Sequence, residues 1–187
     1  PLSQFVDELL DVSCMNAGQL RLEKSKVCLS TVVREVSERF SQELKLSGSK
    51  LRLSLKDRLF GHWDKSRLEQ VIANLLTNAI KYGRGRPIEI STSGEGGNAV
   101  LRISDKGIGI RKKDQDRIFG LYERAVQPDH FSGTGLGLYI VRRITEAHGG
   151  NLTLISAFGK GSKFQVSLPR NEADFDRVAK TEVTRQL

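Results

Sequence analysis

Asn74-Leu-Leu-Thr-Asn78-Ala-Ile-Lys81-Tyr82 is the stretch on which the reading of this chain turns. Wound at about 100° per residue with the residues before it, it sets Leu68, Val71, Ile72, Leu75, Leu76 and Ala79 on one side, a stripe suited to a core. Gln70, Asn74, Thr77, Asn78 and Lys81 gather on another side, within an arc of roughly 100°. Two carboxamides and an ammonium stacked in one line offer metal-coordinating oxygens and a positive point charge. A nucleotide's phosphates and their Mg²⁺ want such oxygen ligands and cationic neighbours. A solvated polar face is the plainer alternative, and the rest of the chain decides between them.

Asp64 is a good N-cap for this helix, expected over residues 65–82, and Gly83-Arg-Gly-Arg-Pro87 ends it. Two alternating strands follow near 87–93 and 98–104, joined by Gly94-Glu-Gly-Gly-Asn98. Upstream, Leu51 to Leu55 alternates like a strand with one buried face. Gly48 breaks a helix that Ser30 is expected to cap and that carries Val32, Val33, Val36, Phe40 and Leu44. Before it, Leu2, Phe5, Leu9 and Val12 make an a/d seam over residues 2–16, stopped at Asn16-Ala-Gly18. Downstream, residues 105–135 are glycine-punctuated, with a short helix expected around Asp114 to Phe119; segments of that length in a compact domain are usually functional lids. A helix from Leu136 to His148 and a hairpin of strands 151–156 and 162–168, turning at Gly159-Lys160-Gly161, close the domain. Pro169 ends it, and a polar tail follows.

With 187 residues, 38% of them apolar and 28% charged, the chain is long enough for one globular domain plus an extra helical element. No apolar run approaches the roughly 20 residues that cross a bilayer, and no signal peptide opens the chain. It begins without Met and already in helical pattern, so a piece of a longer protein is expected. Lys and Arg number 30 against 22 acidic residues, a net charge of +8, but the basic residues are scattered, and Arg111-Lys112-Lys113 is their longest run. With aromatics at 6%, no basic–aromatic interleaving of the strand-binding kind appears, and nucleic acid is not an expected partner. Cys14 and Cys28 lack metal-site spacing and read as reduced, structural thiols of a cytoplasmic protein.

Two glycine motifs carry further chemistry. Asp105-Lys-Gly107-Ile-Gly109-Ile110 follows a strand; its carboxylate can accept a hydrogen bond from the exocyclic amine of a planar base, and its glycines let backbone approach the ring. Gly133-Thr134-Gly135-Leu136-Gly137-Leu138 runs directly into a helix, presenting N–H groups and a positive dipole end to phosphate oxygens. Each alone is most often a turn; their order behind the striped helix is demanding.

In that order, the motifs resemble the catalytic ATP-binding domain of sensor histidine kinases, within the superfamily of gyrase, Hsp90 and MutL. The resemblance covers about residues 1–169. Asn74 to Tyr82 looks like the N box, Asp105 to Gly109 the G1 box, Ile118-Phe119-Gly-Leu-Tyr122 the F box and Gly133 to Gly137 the G2 box. Glu146-Ala-His-Gly-Gly150 and Gly159-Lys-Gly-Ser-Lys-Phe164 resemble the closing signature. This implies an α/β two-layer sandwich of a mixed sheet and about three helices, the Bergerat-type fold, binding ATP and Mg²⁺. It implies domains at 1–22 (the C-terminal part of a dimerising, phosphoacceptor helical hairpin), 23–169 (the ATP-binding domain) and 170–187 (tail or linker). Asn78 would coordinate Mg²⁺, with Asn74 a second candidate ligand. Lys81 would pair with phosphate, and Tyr82, Ile110 and Tyr122 would border the nucleotide. Asp105 would hold the adenine amine in a pocket shaped by Gly107 and Gly109. Arg124 would lie near the γ-phosphate, and Gly133, Thr134, Gly135, Leu136 and Gly137 would contact phosphates as the lid closes. Asn74, Lys81 and Arg124 are thus the catalytic candidates.

ATPases of the superfamily place a glutamate where Asn74 stands, and an amide cannot accept a proton from water at neutral pH. Transfer to a protein side chain is therefore expected over rapid hydrolysis. His62, His130 and His148 lack the acceptor's helical context, so the phosphoaccepting histidine is expected outside this chain, and self-phosphorylation is not expected. The parent would be a homodimer passing phosphate to the aspartate of a response-regulator receiver domain, cytoplasmic or tethered to the inner membrane. A nucleotide-binding scaffold without transfer activity and a hydrolytic ATPase remain the alternatives.

Overall fold

The computed structural model describes residues 20–123 and 134–170. Along the chain come β1 (Ser25–Cys28), α1 (Leu29–Arg39), α2 (Ser41–Ser47), β2 (Leu51–Leu55), β3 (Phe60–Trp63) and α3 (Lys65–Gly83). They are followed by β4 (Ile88–Glu95), β5 (Asn98–Asp105), two 3₁₀ turns (Lys112–Asp114 and Arg117–Phe119), α4 (Gly137–Ala147), β6 (Asn151–Ala157) and β7 (Gly161–Pro169). Five strands form a mixed sheet in the order β2-β4-β5-β7-β6, parallel only between β2 and β4. β1 and β3 make a separate antiparallel ribbon.

Period-two burial explains why this sheet needs a helical layer. Leu101 and Ile103 of β5, with Ile88 and Ile90 of β4 and Phe164, Val166 and Leu168 of β7, are buried in one cluster with the α3 stripe and with Ile140, Val141 and Ile144 of α4. All six stripe residues of α3 are at most 3% exposed. The opposite face of the sheet is polar: Arg102 reaches Gln165 at 2.8 Å, Ser93 at 2.8 Å and Glu95 at 2.7 Å. One sheet layer and one helix layer result, as the motifs imply. Asp64 caps α3 through its carboxylate, which accepts from the Arg67 amide at 3.1 Å. Gly96 (φ 55°) and Gly97 (φ 81°) supply the two positive φ angles of a two-residue hairpin turn.

Four expectations need correction, and one element is unexpected. Ser30 is not the cap of α1; Cys28 holds that position, and the inward-facing Ser30 hydroxyl donates to the Lys56 carbonyl and lies 3.1 Å from the Thr92 hydroxyl. The helix expected from Ser30 to Gly48 is divided at Phe40 into α1 and α2, although Gly48 does close it in the left-handed region. β2 is an edge strand whose central Leu53 is 43% exposed, so it has no continuous buried face. The helix expected around Asp114 to Phe119 is instead two 3₁₀ turns. The β1–β3 ribbon has no counterpart among the expected elements; it sits where β7 ends, with buried Trp63 donating from Nε1 to the Pro169 carbonyl at 2.8 Å. The seam over residues 2–16 and the tail beyond Arg170 lie outside the described residues.

His148, at the end of α4, ties α4 to the start of α3. Its Nε2 accepts the Asp64 amide at 3.0 Å, so Nδ1 carries the proton and donates to the Ile144 carbonyl at 2.9 Å. Burial pushes the imidazole below its ordinary pKa, against the Ile144 bond and nearby Asp64, with Lys24 assisting the fall. The unfolded chain therefore takes up this proton first. Its stabilising contribution is complete above about pH 6.5 and is lost as pH falls through the lower folded value. Asp64 does not blur this window: burial raises its pKa, but the Glu23 and Arg67 amides and the Ser66 hydroxyl hold it below the usual carboxylate range. Thermal unfolding at pH 7.5 and 5.5 should show a fall of at most about 1.4 kcal/mol per pH unit, a few degrees. His148→Gln should flatten that dependence; an undiminished slope in the variant would assign it elsewhere.

Candidate functional site

The polar face of α3 is held between the two glycine motifs. At its start, Asn74 Nδ2 donates to the Gly137 carbonyl at 3.4 Å, and a Cβ on Gly137 would lie 3.6 Å from the Asn74 amide. At its end, the Ile108 amide donates to the Tyr82 carbonyl at 3.1 Å. Eight residues of helix, roughly 12 Å, separate these anchor points, and Asn78 and Lys81 lie half-buried between them. Lys81 Nζ stands 4.9 Å from the centre of the Tyr82 ring, a cation–π contact that keeps the ammonium on this face.

The loop from Asp105 to Ile110 is built by close backbone contact. A Cβ on Gly107 would fall 1.9 Å from the Tyr82 carbonyl oxygen, and one on Gly109 the same distance from the Ala157 carbonyl. Gly109 also takes φ +65°, where an L side chain is strained. Asp105, 9% exposed, ends β5 and accepts the Gly107 amide on Oδ1 at 2.7 Å. Burial raises its pKa; the amides of Gly107 and Ser162 only partly offset that. A desolvated carboxylate with remaining acceptor capacity is an apt partner for an exocyclic amine.

The second glycine motif is described from Thr134 onward. Thr134 Oγ1 accepts the Leu136 amide at 3.3 Å, and Gly135 (φ +75°) passes so close to Tyr122 that a Cβ would meet its backbone at 2.9 Å. Tyr122 itself is in the left-handed region and 61% exposed. Gly137 opens α4, so backbone amides stand at a helix N-terminus as the spacing implied. The Leu136 side chain is wholly buried in the core, so any ligand contact from this residue falls to its backbone. Arg124 and Gly133 lie outside the described residues, as does His130.

Residues with no motif of their own complete the site. The Ile110 amide donates to Ser156 Oγ at 2.9 Å, and Ser156 Oγ donates to the Gly161 carbonyl at 2.8 Å. Gln115 Nε2 donates to the Ile110 carbonyl at 3.1 Å and the Ser156 carbonyl at 2.9 Å. This clasp binds the Asp105–Ile110 loop to the β6–β7 turn and to the 3₁₀ segment. Only Gly161 carries a mark readable in the sequence, for its φ of +86° brings it against the Asp105 carbonyl.

A buried carboxylate, two glycines that meet backbone too closely for a Cβ, carboxamides and an ammonium along one helix, and a glycine-opened helix start are brought together around α3. The sequence profile of a family described as histidine kinase-, DNA gyrase B-, and HSP90-like ATPase matches residues 63–172. The circadian input-output histidine kinase CikA of Synechococcus elongatus is 30% identical over 174 residues, which are 90% of this chain and 23% of CikA. Among solved structures, the Acinetobacter baumannii histidine kinase AdeS superposes with a TM-score of 0.77 at 29% identity, covering 91% of this chain and 79% of AdeS. Full-length ShkA in complex with AMPPNP gives a TM-score of 0.80 at 27% identity, covering 90% of this chain and 35% of ShkA. The chain spans less than a third of the length of the curated relatives it matches.

Proposed function

Because the chain belongs to the histidine kinase-, DNA gyrase B-, and HSP90-like ATPase family, we propose that it binds Mg²⁺-ATP as the catalytic domain of a two-component sensor histidine kinase. The observation that carries this is the anchoring of one polar helical face between both glycine motifs, at Asn74–Gly137 and at Tyr82–Ile108. ATP supplies the phosphoryl group, destined for a histidine outside residues 1–187. This chain's residues position it. Asp105 holds the base amine, Gly107 and Gly109 admit the ring, and Ile110, Tyr82 and Tyr122 border it. Asn78 offers an amide oxygen to Mg²⁺, with Asn74 as second ligand, and Lys81 and Arg124 neutralise phosphate charge. Amides from Gly133 to Gly137 receive phosphate oxygens. No carboxylate stands at position 74 to take a proton from water, which favours transfer over hydrolysis.

His148 supports an acceptor elsewhere, since both its ring nitrogens are engaged in hydrogen bonds within the domain. In this reading residues 1–22 end the dimerising hairpin, 23–169 are the ATP-binding domain and 170–187 a tail or linker. The parent is a homodimer whose phosphohistidine serves a receiver-domain aspartate in the cytoplasm. No helix among the described residues is long and apolar enough to cross a membrane.

The test supplies γ-labelled Mg²⁺-ATP and, in trans, a helical hairpin domain bearing a phosphoacceptor histidine. Acid-labile label on the hairpin is the expected result, lost at least tenfold with Asn78→Ala. Tight nucleotide binding with an unlabelled hairpin would mark a scaffold, and free phosphate released at every turnover would mark a hydrolase.

A further inference from the structure

Edge strands of natural sheets are usually guarded by charges, prolines or bulges, because their unpaired amides and carbonyls invite another strand. The edge at β2 is guarded: Arg52 lies within it, and Lys50 and Lys56 flank it. The edge at β6 is not. Its sequence, Asn-Leu-Thr-Leu-Ile-Ser-Ala, holds no charge and no proline, and it pairs residue by residue with β7 from Asn151–Ser167 to Ala157–Gly161 without a bulge. Among the described residues no strand pairs with its other side. Ile155 is 70% exposed on this strand, and Phe158, 69% exposed, begins the turn that follows.

Cations surround these apolar groups. Lys163 is the cross-strand partner of Ile155, Lys160 lies in the same turn, and Lys106 packs its backbone against Gly161. All three are exposed, and among the described residues none has a carboxylate partner. We propose that β6 is a docking edge that takes an added strand from an acidic, apolar-bearing segment of a partner protein. Main-chain hydrogen bonds to β6 supply affinity, contact with Ile155 and Phe158 adds burial, and the lysines select acidic side chains.

The charge of the patch argues against a second copy of this chain, which would bring the same lysines and another net charge of +8 to the contact. Arg170, the last described residue, donates from its amide to the Gly97 carbonyl at 3.3 Å and from Nε to the Phe60 carbonyl at 2.8 Å, on the side of β7 away from β6. The docked strand would lie one hydrogen bond from the Asp105–Ile110 loop, because the Gly159 amide donates to the Ile108 carbonyl at 2.7 Å. This inference does not depend on phosphoryl transfer.

The experiment uses the full chain and a labelled alternating Glu-Val octapeptide, with a Lys-Val octapeptide and phosphatidylserine vesicles as comparisons. Saturable binding of the Glu-Val peptide is expected, with at least tenfold slower amide exchange at residues 151–157. Ile155→Ser combined with Phe158→Ser, both at exposed positions, should weaken it at least tenfold while ATP affinity is unchanged. Absent Glu-Val binding, equal Lys-Val binding, or binding without protection of 151–157 would overturn the proposal. So would uptake by vesicles alone, or a concentration-dependent dimer that the double variant dissolves.

Discussion

Asp105→Asn is expected to lower ATP affinity roughly 30- to 150-fold, the equivalent of about 2–3 kcal/mol for a hydrogen bond to a charged group. The substitution keeps an oxygen for the Gly107 amide, which now meets Asp105 Oδ1 at 2.7 Å. What it removes is the second acceptor, replacing it with an NH₂ that repels the amine of the base. The empty domain should not suffer. Burial holds the Asp105 pKa above its usual range, so the charge is a cost of folding at neutral pH, relieved as pH falls toward the folded value. Fluorescence titration and thermal unfolding should therefore move in opposite senses: weaker binding, with an apo melting temperature unchanged or raised. Equal losses in both would mean that Asp105 is a structural residue.

Gly109→Ala is the second large effect, and it should strike stability and binding together. At φ +65° an alanine costs about 1–2 kcal/mol, and its Cβ would stand 1.9 Å from the Ala157 carbonyl, so the Asp105–Ile110 loop or the β6–β7 turn must move. With overpacking of about 1–3 kcal/mol added, a total of roughly 2–5 kcal/mol is expected, together with a loss of nucleotide affinity beyond tenfold. Gly159→Ala is the control. It shares a positive φ of +80°, but a Cβ there would meet nothing within 4 Å, so it should show backbone strain alone and nearly unaltered binding. Denaturant unfolding of the pair separates the two causes, and indistinguishable variants would show that close approach at Gly109 matters little.

What the sequence reveals and conceals follows from the range of the forces involved. The α3 stripe is legible because helical periodicity records burial directly, and Asp64 because a cap acts within three residues. The β1–β3 ribbon is not, for Ser-Lys-Val-Cys and Phe-Gly-His-Trp are four residues each with no alternation, and Trp63 finds its partner 106 residues away at Pro169. Ser30 misleads for a related reason: a local capping preference yields to the Lys56 carbonyl and the Thr92 hydroxyl, partners that only the tertiary fold supplies. In the site, side chains bearing chemistry stand out, whereas Gln115 and Ser156 act through main-chain groups and have no pattern to betray them. Leu136 takes its expected role from its place in a motif whose main chain carries the chemistry, while its side chain serves the core.

The central claim is that one magnesium nucleotide spans the face of α3 from Tyr82 to Asn74. A crystal structure of the chain with Mg²⁺ and a non-hydrolysable ATP analogue tests it most directly. The base amine should lie about 3 Å from the Asp105 carboxylate, with the phosphates along Lys81, Asn78 and Asn74 toward the start of α4. A nucleotide seated elsewhere, or one whose base makes no contact with Asp105, would contradict it.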